Sequence, residues 1–236
     1  MSFLFKWTAA GLITIVFGVL SLLFSFLPPK GWSINFFGRL WARGLLKAWG
    51  VKARTVNRVE KAESRIVMSN HASLVDIPVI FATVPDRIVF MAKKSLFRIP
   101  FLGWAMSAAG FIPVDRMDRS TALNTYKNAK KALQGGLSIL IFPEETRSET
   151  EELLPFKKGG FLLAHATGFP ILPMGIWGTA EIIPKKRRIV KGGSVRVRFG
   201  EEILYDRKKS IQECMDASRK SIQECIAAAQ SESKTN

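Results

Sequence analysis

Apolar and polar positions divide this chain into one long uncharged stretch, one amphipathic stretch and a succession of short apolar runs. Thr8 to Leu27 carries no charged residue and is long enough to cross a bilayer. A secretory leader would have a shorter apolar core and a small-x-small cleavage site, and none precedes Pro28-Pro29. Beyond the prolines, Asn35, Arg39, Arg43 and Lys47 share one i, i+4 row between Ile34 and Trp49. Phe37, Leu40, Trp41, Leu45 and Trp49 lie largely away from that row, which predicts an amphipathic helix. Residues 1–55 therefore read as a membrane-associated two-helix segment.

The short runs predict strands at Arg65–Met68, Arg87–Met91, Phe111–Val114, Ser138–Phe142, Ile171–Ile176 and Ser194–Phe199. Their spacings leave helices near Asp76–Thr83, Phe101–Ala109, Ser120–Gln134 and Lys157–Ala166. Alternation of this kind predicts an α/β sandwich over 56–230. Ser194–Phe199 alternates apolar and polar residues cleanly, as an edge or half-exposed strand does. From Arg207 to Ala229 an apolar stripe through Ile211, Cys214, Met215, Ile222, Cys225, Ile226 and Ala229 predicts a final packed helix. Residues 231–236 read as a disordered tail.

Charge adds a partner to this outline. Among 236 residues, 35 Lys and Arg stand against 19 Asp and Glu, a formal charge of +16. Such a balance suits an anionic partner. No nucleic-acid-binding signature is present, so an anionic lipid bilayer is the expected partner. Only Lys6 precedes the apolar run, whereas Lys30, Arg39, Arg43, Lys47 and Lys52 follow it. This asymmetry places the main domain in the cytoplasm. The first helix either spans the membrane or forms, with the second, a hairpin dipping into one leaflet. The two cysteines recur eleven residues apart, in Ser210–Cys214 and Ser221–Cys225. On one helix they stand roughly 16 Å apart, too far for a disulfide, and read as packing residues. The two histidines and two cysteines lack metal-ligand spacing.

The chemistry concentrates at Asn70-His71-Ala72-Ser73-Leu74-Val75-Asp76. A neutral imidazole takes a proton near pH 7, and a carboxylate holds its other nitrogen in the right tautomer. A curled strand-to-helix turn lets positions five apart meet, with Asp76 in the first helical turn. The alternative is that His71 caps a helix whose positive end attracts Asp76. His165, in the apolar stretch Phe161–Ala166, reads as a core histidine.

Three further clusters follow in order: Ala92–Trp104 leading to Gly110–Arg116, then Phe142-Pro143-Glu144-Glu145-Thr146-Arg147-Ser148, then Pro170–Ile176. Together with the His71 stretch they resemble the glycerolipid acyltransferase family, most closely bacterial 1-acylglycerol-3-phosphate acyltransferases, over about residues 60–180. The resemblance implies a mixed-sheet α/β acyltransferase domain. It implies transfer of a fatty acyl chain from acyl-CoA or acyl-carrier protein to the sn-2 hydroxyl of lysophosphatidic acid, forming phosphatidic acid. His71 is then the general base and Asp76 its orienting carboxylate, with no cofactor and no acyl-enzyme. Location at a bacterial inner membrane, facing the cytoplasm, is implied too.

Arg147 suits the acceptor phosphate because guanidinium binds two oxygens at once. By resemblance Lys93 or Lys94, and Arg116, share that task. Glu144 matches the family's glutamate and is expected to bind glycerol or orient Arg147, and Thr146 reads as a helix N-cap. Lys157–Gly160 is expected to present a helix N-terminus. One position departs from the family: Glu145 stands where glycine is usual. Glycine there allows positive φ, and a second carboxylate repels phosphate unless it faces solvent or pairs with a lysine. The departure keeps other acceptors open: a lyso-ornithine lipid, glycerol 3-phosphate or another lysophospholipid. A non-catalytic anionic-lipid-binding protein is the rival from another class.

Overall fold

The structure, a computed structural model, describes residues 3–25, 32–61, 64–99, 102–115, 122–186, 189–206 and 208–233. Its strands are β1 (Val51–Thr55), β2 (Ile66–Ser69), β3 (Ile88–Lys93), β4 (Ile112–Val114), β5 (Ser138–Ile141), β6 (Ile171–Trp177) and β7 (Gly193–Phe199). They form one sheet in the order β1-β7-β6-β2-β5-β3-β4. The five strands from β6 to β4 run parallel, while β7 is antiparallel to β6 and parallel to β1. β2 and β5 are buried at every residue. That explains their largely apolar sequences, since a parallel strand covered on both faces has no polar side to show.

The helices are α1 (Phe3–Leu23), α2 (Trp32–Trp49), α3 (Asp76–Thr83), α4 (Leu102–Ala108), α5 (Ala122–Gln134), α6 (Gly159–Thr167) and α7 (Ile211–Ser233). A 3-10 helix over Lys94–Arg98 precedes α4. One apolar cluster joins one face of the sheet to α2 and α3 through Ala42, Leu45, Val79 and Ile80. The other joins the opposite face to α5, α6 and α7 through Leu133, Phe161 and Ile222. Cys214 and Cys225 are free, buried packing residues of α7.

Three sequence expectations change here. The boundary at residue 55 cuts through the sheet, because Val51–Thr55 pairs with Gly193–Val197 as its outermost strand. β7 is consequently not an edge: β1 covers one side and β6 the other. One face carries the buried Val195, Val197 and Phe199, and the other carries buried Arg196 and half-buried Arg198. α7 runs to Ser233, three residues into the expected tail.

The N-terminal helices also sit differently from a simple surface amphipath. Two members of the polar row of α2 face the domain. Asn35 Oδ1 accepts the Ile88 N–H at 2.8 Å, and Arg39 Nη2 donates to the carbonyls of Pro85 and Asp86 at 2.8 Å. α1 packs outside α2, with Trp7 against Trp49 and the Trp41 indole donating to Thr14 at 3.0 Å. Lys6 Nζ donates to the Val190 carbonyl at 3.0 Å, fixing the start of α1 to the domain. The outer face of α1 stays bare, with Leu4, Leu12, Ile15 and Leu23 exposed. Leu4–Leu23 is long and apolar enough to cross a membrane.

Candidate active site

The parallel strands β2, β5, β3 and β4 end on one side of the sheet, where an open α/β sheet places its ligand crevice. The loops leaving them build a cavity of about 600 Å³, lined in part by His71, Lys93, Asp115, Phe142, Glu145 and Arg147. A larger hollow of about 1070 Å³, between α7 and the 149–153 loop, does not include His71.

His71 follows β2 in a curl that closes on Asp76. The Nδ1···Asp76 Oδ2 distance is 2.7 Å. The same oxygen accepts the amides of Ala72 and Ser73, each at 2.8 Å, so three donors fix it. A carboxylate accepts at that contact, so Nδ1 carries the proton and Nε2 is left as the basic nitrogen. Asp76 is 1 % exposed. The imidazole stacks on the Phe142 ring, centroids 3.9 Å apart and planes 13° from parallel. The Asn70 side chain brackets the backbone of Ile176, accepting its N–H at 2.8 Å and donating to its carbonyl at 2.9 Å. This pins the turn to β6. Ser73 donates to the Ile183 carbonyl at 2.9 Å and is fully buried, so it is a tether. Its side chain does not cap α3.

Glu144 departs from its expected role at the substrate. It is 2 % exposed, and both its oxygens take backbone amides at 2.8 Å, Oε1 that of His71 and Oε2 that of Leu154. Burial pushes its carboxyl above the ordinary value, while those two amides oppose the rise. Together with the Ser148 amide on the His71 carbonyl at 2.7 Å, Glu144 clamps the β5 loop to the histidine. It braces the His71 backbone and does not line the cavity.

The remaining expected residues divide. Arg147 and Lys93 line the cavity and make no ion pair among the described residues. Lys94 turns to Asp115 at 3.3 Å. Arg116 lies outside the described residues. Thr146 lines the cavity but caps no helix, because residues 143–146 form a turn and the next helix begins at Gly159. Lys158 is the residue before α6, and Gly159 and Gly160 bring the helix start to the cavity. A Cβ on Gly160 would stand 3.0 Å from the Ile141 side chain, so a larger residue there would have to displace it. Glu145, exposed, has φ of 57°. His165 corrects the core reading: it is exposed and meets the Tyr205 hydroxyl on the surface.

Comparison with known proteins now bears on this geometry. A family model described as Acyltransferase matches residues 50–177, more than half of the chain.

The chain belongs to the acyltransferase family.

Its matched span carries His71, Asp76, Lys93, Glu144 and Arg147. The 1-acyl-sn-glycerol-3-phosphate acyltransferase BAT2, chloroplastic, of Brassica napus is 34 % identical over 166 residues, 69 % of this chain and 48 % of that protein. The 1-acyl-sn-glycerol-3-phosphate acyltransferase of Helicobacter pylori is 36 % identical over 124 residues, 52 % of each chain. This acyltransferase-family chain spans about half the length of the curated relatives it matches. Among solved structures, the 1-acyl-sn-glycerophosphate (LPA) acyltransferase PlsC from Thermotoga maritima superposes with a TM-score of 0.77. The identity is 25 %, over 94 % of this chain and 93 % of that one.

Proposed function

We propose that this member of the family transfers a fatty acyl group from a thioester, acyl-CoA or acyl-carrier protein, to the sn-2 hydroxyl of 1-acylglycerol 3-phosphate, giving phosphatidic acid. The observation that carries the reading is His71 in the cavity wall, with Nδ1 held by buried Asp76 at 2.7 Å, beside the cations Arg147 and Lys93, which make no ion pair among the described residues. His71 Nε2 takes the hydroxyl proton as the oxygen attacks the thioester carbon, and Asp76 stabilises the imidazolium. The proton then leaves with the thiolate as free thiol. This is the logic of a serine-hydrolase triad, with the acceptor's hydroxyl in place of the serine. Phe142 keeps the ring in plane, and Glu144 keeps its backbone in place. Arg147 and Lys93 bind the acceptor phosphate. The relatives' names support this acceptor.

The bare face of α1 supports attachment to a bilayer. The tie from Lys6 to Val190 and the return of α2 alongside α1 favour a hairpin in one leaflet over a spanning helix. We place the enzyme at the bacterial inner membrane with the catalytic cavity on the cytoplasmic side. A second acceptor is favoured by one feature, the Glu145 carboxylate in the lining.

Thiol release from acyl-CoA, followed with a panel of lysophospholipids, glycerol 3-phosphate and a lyso-ornithine lipid, tests the reading. Release that depends on 1-acylglycerol 3-phosphate supports it. Binding to anionic vesicles with no thiol release on any acceptor overturns it in favour of a lipid-binding protein.

A further inference from the structure

Glu145 is the only non-glycine residue with positive φ among the described residues. L side chains rarely adopt that backbone. With the chain so turned, Glu145 Oε1 stands 3.8 Å from where a Cβ would sit on Gly159. Gly159 opens α6, whose first amides have no carbonyl partner within the helix. The same polarity that draws a phosphate to a helix start also stabilises a carboxylate there. Glu145 shares the cavity wall with His71, Lys93, Asp115 and Arg147. Asp115 is held by Lys94 at 3.3 Å, and Glu145 adds a second carboxylate to the wall that carries Arg147 and Lys93.

We infer that Glu145 determines acceptor specificity by charge: its carboxylate at the start of α6 disfavours a phosphate monoester, doubly charged, relative to a singly charged phosphodiester. The inference deepens the acyl-transfer reading and rests on it for its kinetic form. Repulsion acts about twice on the monoester and once on the diester. One unit charge at an exposed site, where water screens much of it, corresponds to about tenfold in relative affinity.

The experiment compares wild type, Glu145→Gln and Glu145→Gly as purified full chains in mixed micelles at pH 8. One acyl-CoA serves as donor, with 1-acylglycerol 3-phosphate and lysophosphatidylglycerol as acceptors. Titration calorimetry of each acceptor without donor gives the same comparison independently of turnover. In both variants the monoester-to-diester ratio of kcat/KM, and of binding constants, is expected to rise about tenfold. Glu145→Gln removes only the charge, and Glu145→Gly also suits the left-handed backbone. An unchanged or lower ratio in Glu145→Gln overturns the inference, and so does a rise confined to Glu145→Gly. If wild type binds both acceptors but releases no thiol, the transfer reading fails. The binding ratio then still decides for or against the charge effect.

Discussion

At His71 the useful question is which nitrogen is left to do chemistry. Asp76 takes Nδ1, so replacing His71 by Ala removes the only imidazole in the cavity. General-base catalysis contributes on the order of 10²–10⁴-fold, so kcat should fall by about that factor. The unfolding temperature should stay close to wild type, because the ring is partly exposed. Thiol-release kinetics and thermal unfolding check both halves, and near wild-type turnover would remove His71 from the mechanism. Arg147→Ala acts elsewhere on the reaction coordinate. Loss of charge-assisted hydrogen bonds, worth about 1.5–3 kcal/mol, should raise KM for the lysophospholipid by roughly 10- to 100-fold with kcat little changed. An unchanged KM would exclude it from the phosphate site. Both residues stand out in the sequence because their chemistry is local, and the structure places both in the cavity wall. Glu144 was not, since a carboxylate facing a ligand and one facing two buried amides look the same in one dimension.

Elements show what holds those residues in place. The loop after β5 is tied back by Glu144 and, further on, by Glu151, whose Oε1 accepts the amides of Gly178 and Ala180 at 2.9 and 3.0 Å. Burial pushes the Glu151 carboxyl from 4.5 up to about 7, Asp76 and Glu181 adding to the rise while the Ala180 and Gly178 amides oppose it. A folded-state value above the unfolded one means that the folded chain keeps a proton the unfolded chain has lost. The associated stability is fully present below about pH 4.5 and is lost as pH rises through 7. Glu151→Gln keeps an accepting oxygen and has no charge to bury. Relative to wild type it should be near neutral at pH 4.5 and more stable at pH 8 by on the order of 1–3 kcal/mol. Thermal unfolding at the two pH values measures this, and equal differences at both would deny a buried ionisation.

For the whole molecule, the proposed attachment to a bilayer rests on the outermost layer. α1 covers α2 with one face and leaves Leu12 and Ile15 more than 60 % exposed on the other. Replacing Ile15 and Val19 by Glu should release the chain from anionic vesicles in a flotation assay while preserving its unfolding temperature in detergent. Apolar side chains on a membrane face contribute through burial in lipid and not through the fold. Continued flotation would show that attachment lies elsewhere. Of the fold, six strands and the alternation with helices were visible in the apolar runs. β1 was missed because Val51-Lys52-Ala53-Arg54-Thr55 is an edge strand with three exposed residues. Such a strand needs little apolar surface, and its place depends on a partner 142 residues later. Asn35 and Arg39 misled for a related reason, since a polar row serves buried backbone groups as well as it serves water.

The amino-acid sequence by itself determined the alternation of strand and helix and the apolar N-terminal run, and offered the pairing of His71 with Asp76 as one of two readings. Each follows from periodicity or from a spacing of a few residues, where the backbone alone dictates which side chains meet. Tertiary structure decided which carboxylate does what. Glu144, Glu145 and Glu151 lie within eight positions of one another. One braces the histidine, one lines the cavity on a left-handed backbone, and one is half-buried against the loop after β6. Burial and amide partners come from distant segments, and their energies exceed the small differences that mark one glutamate from another along the chain.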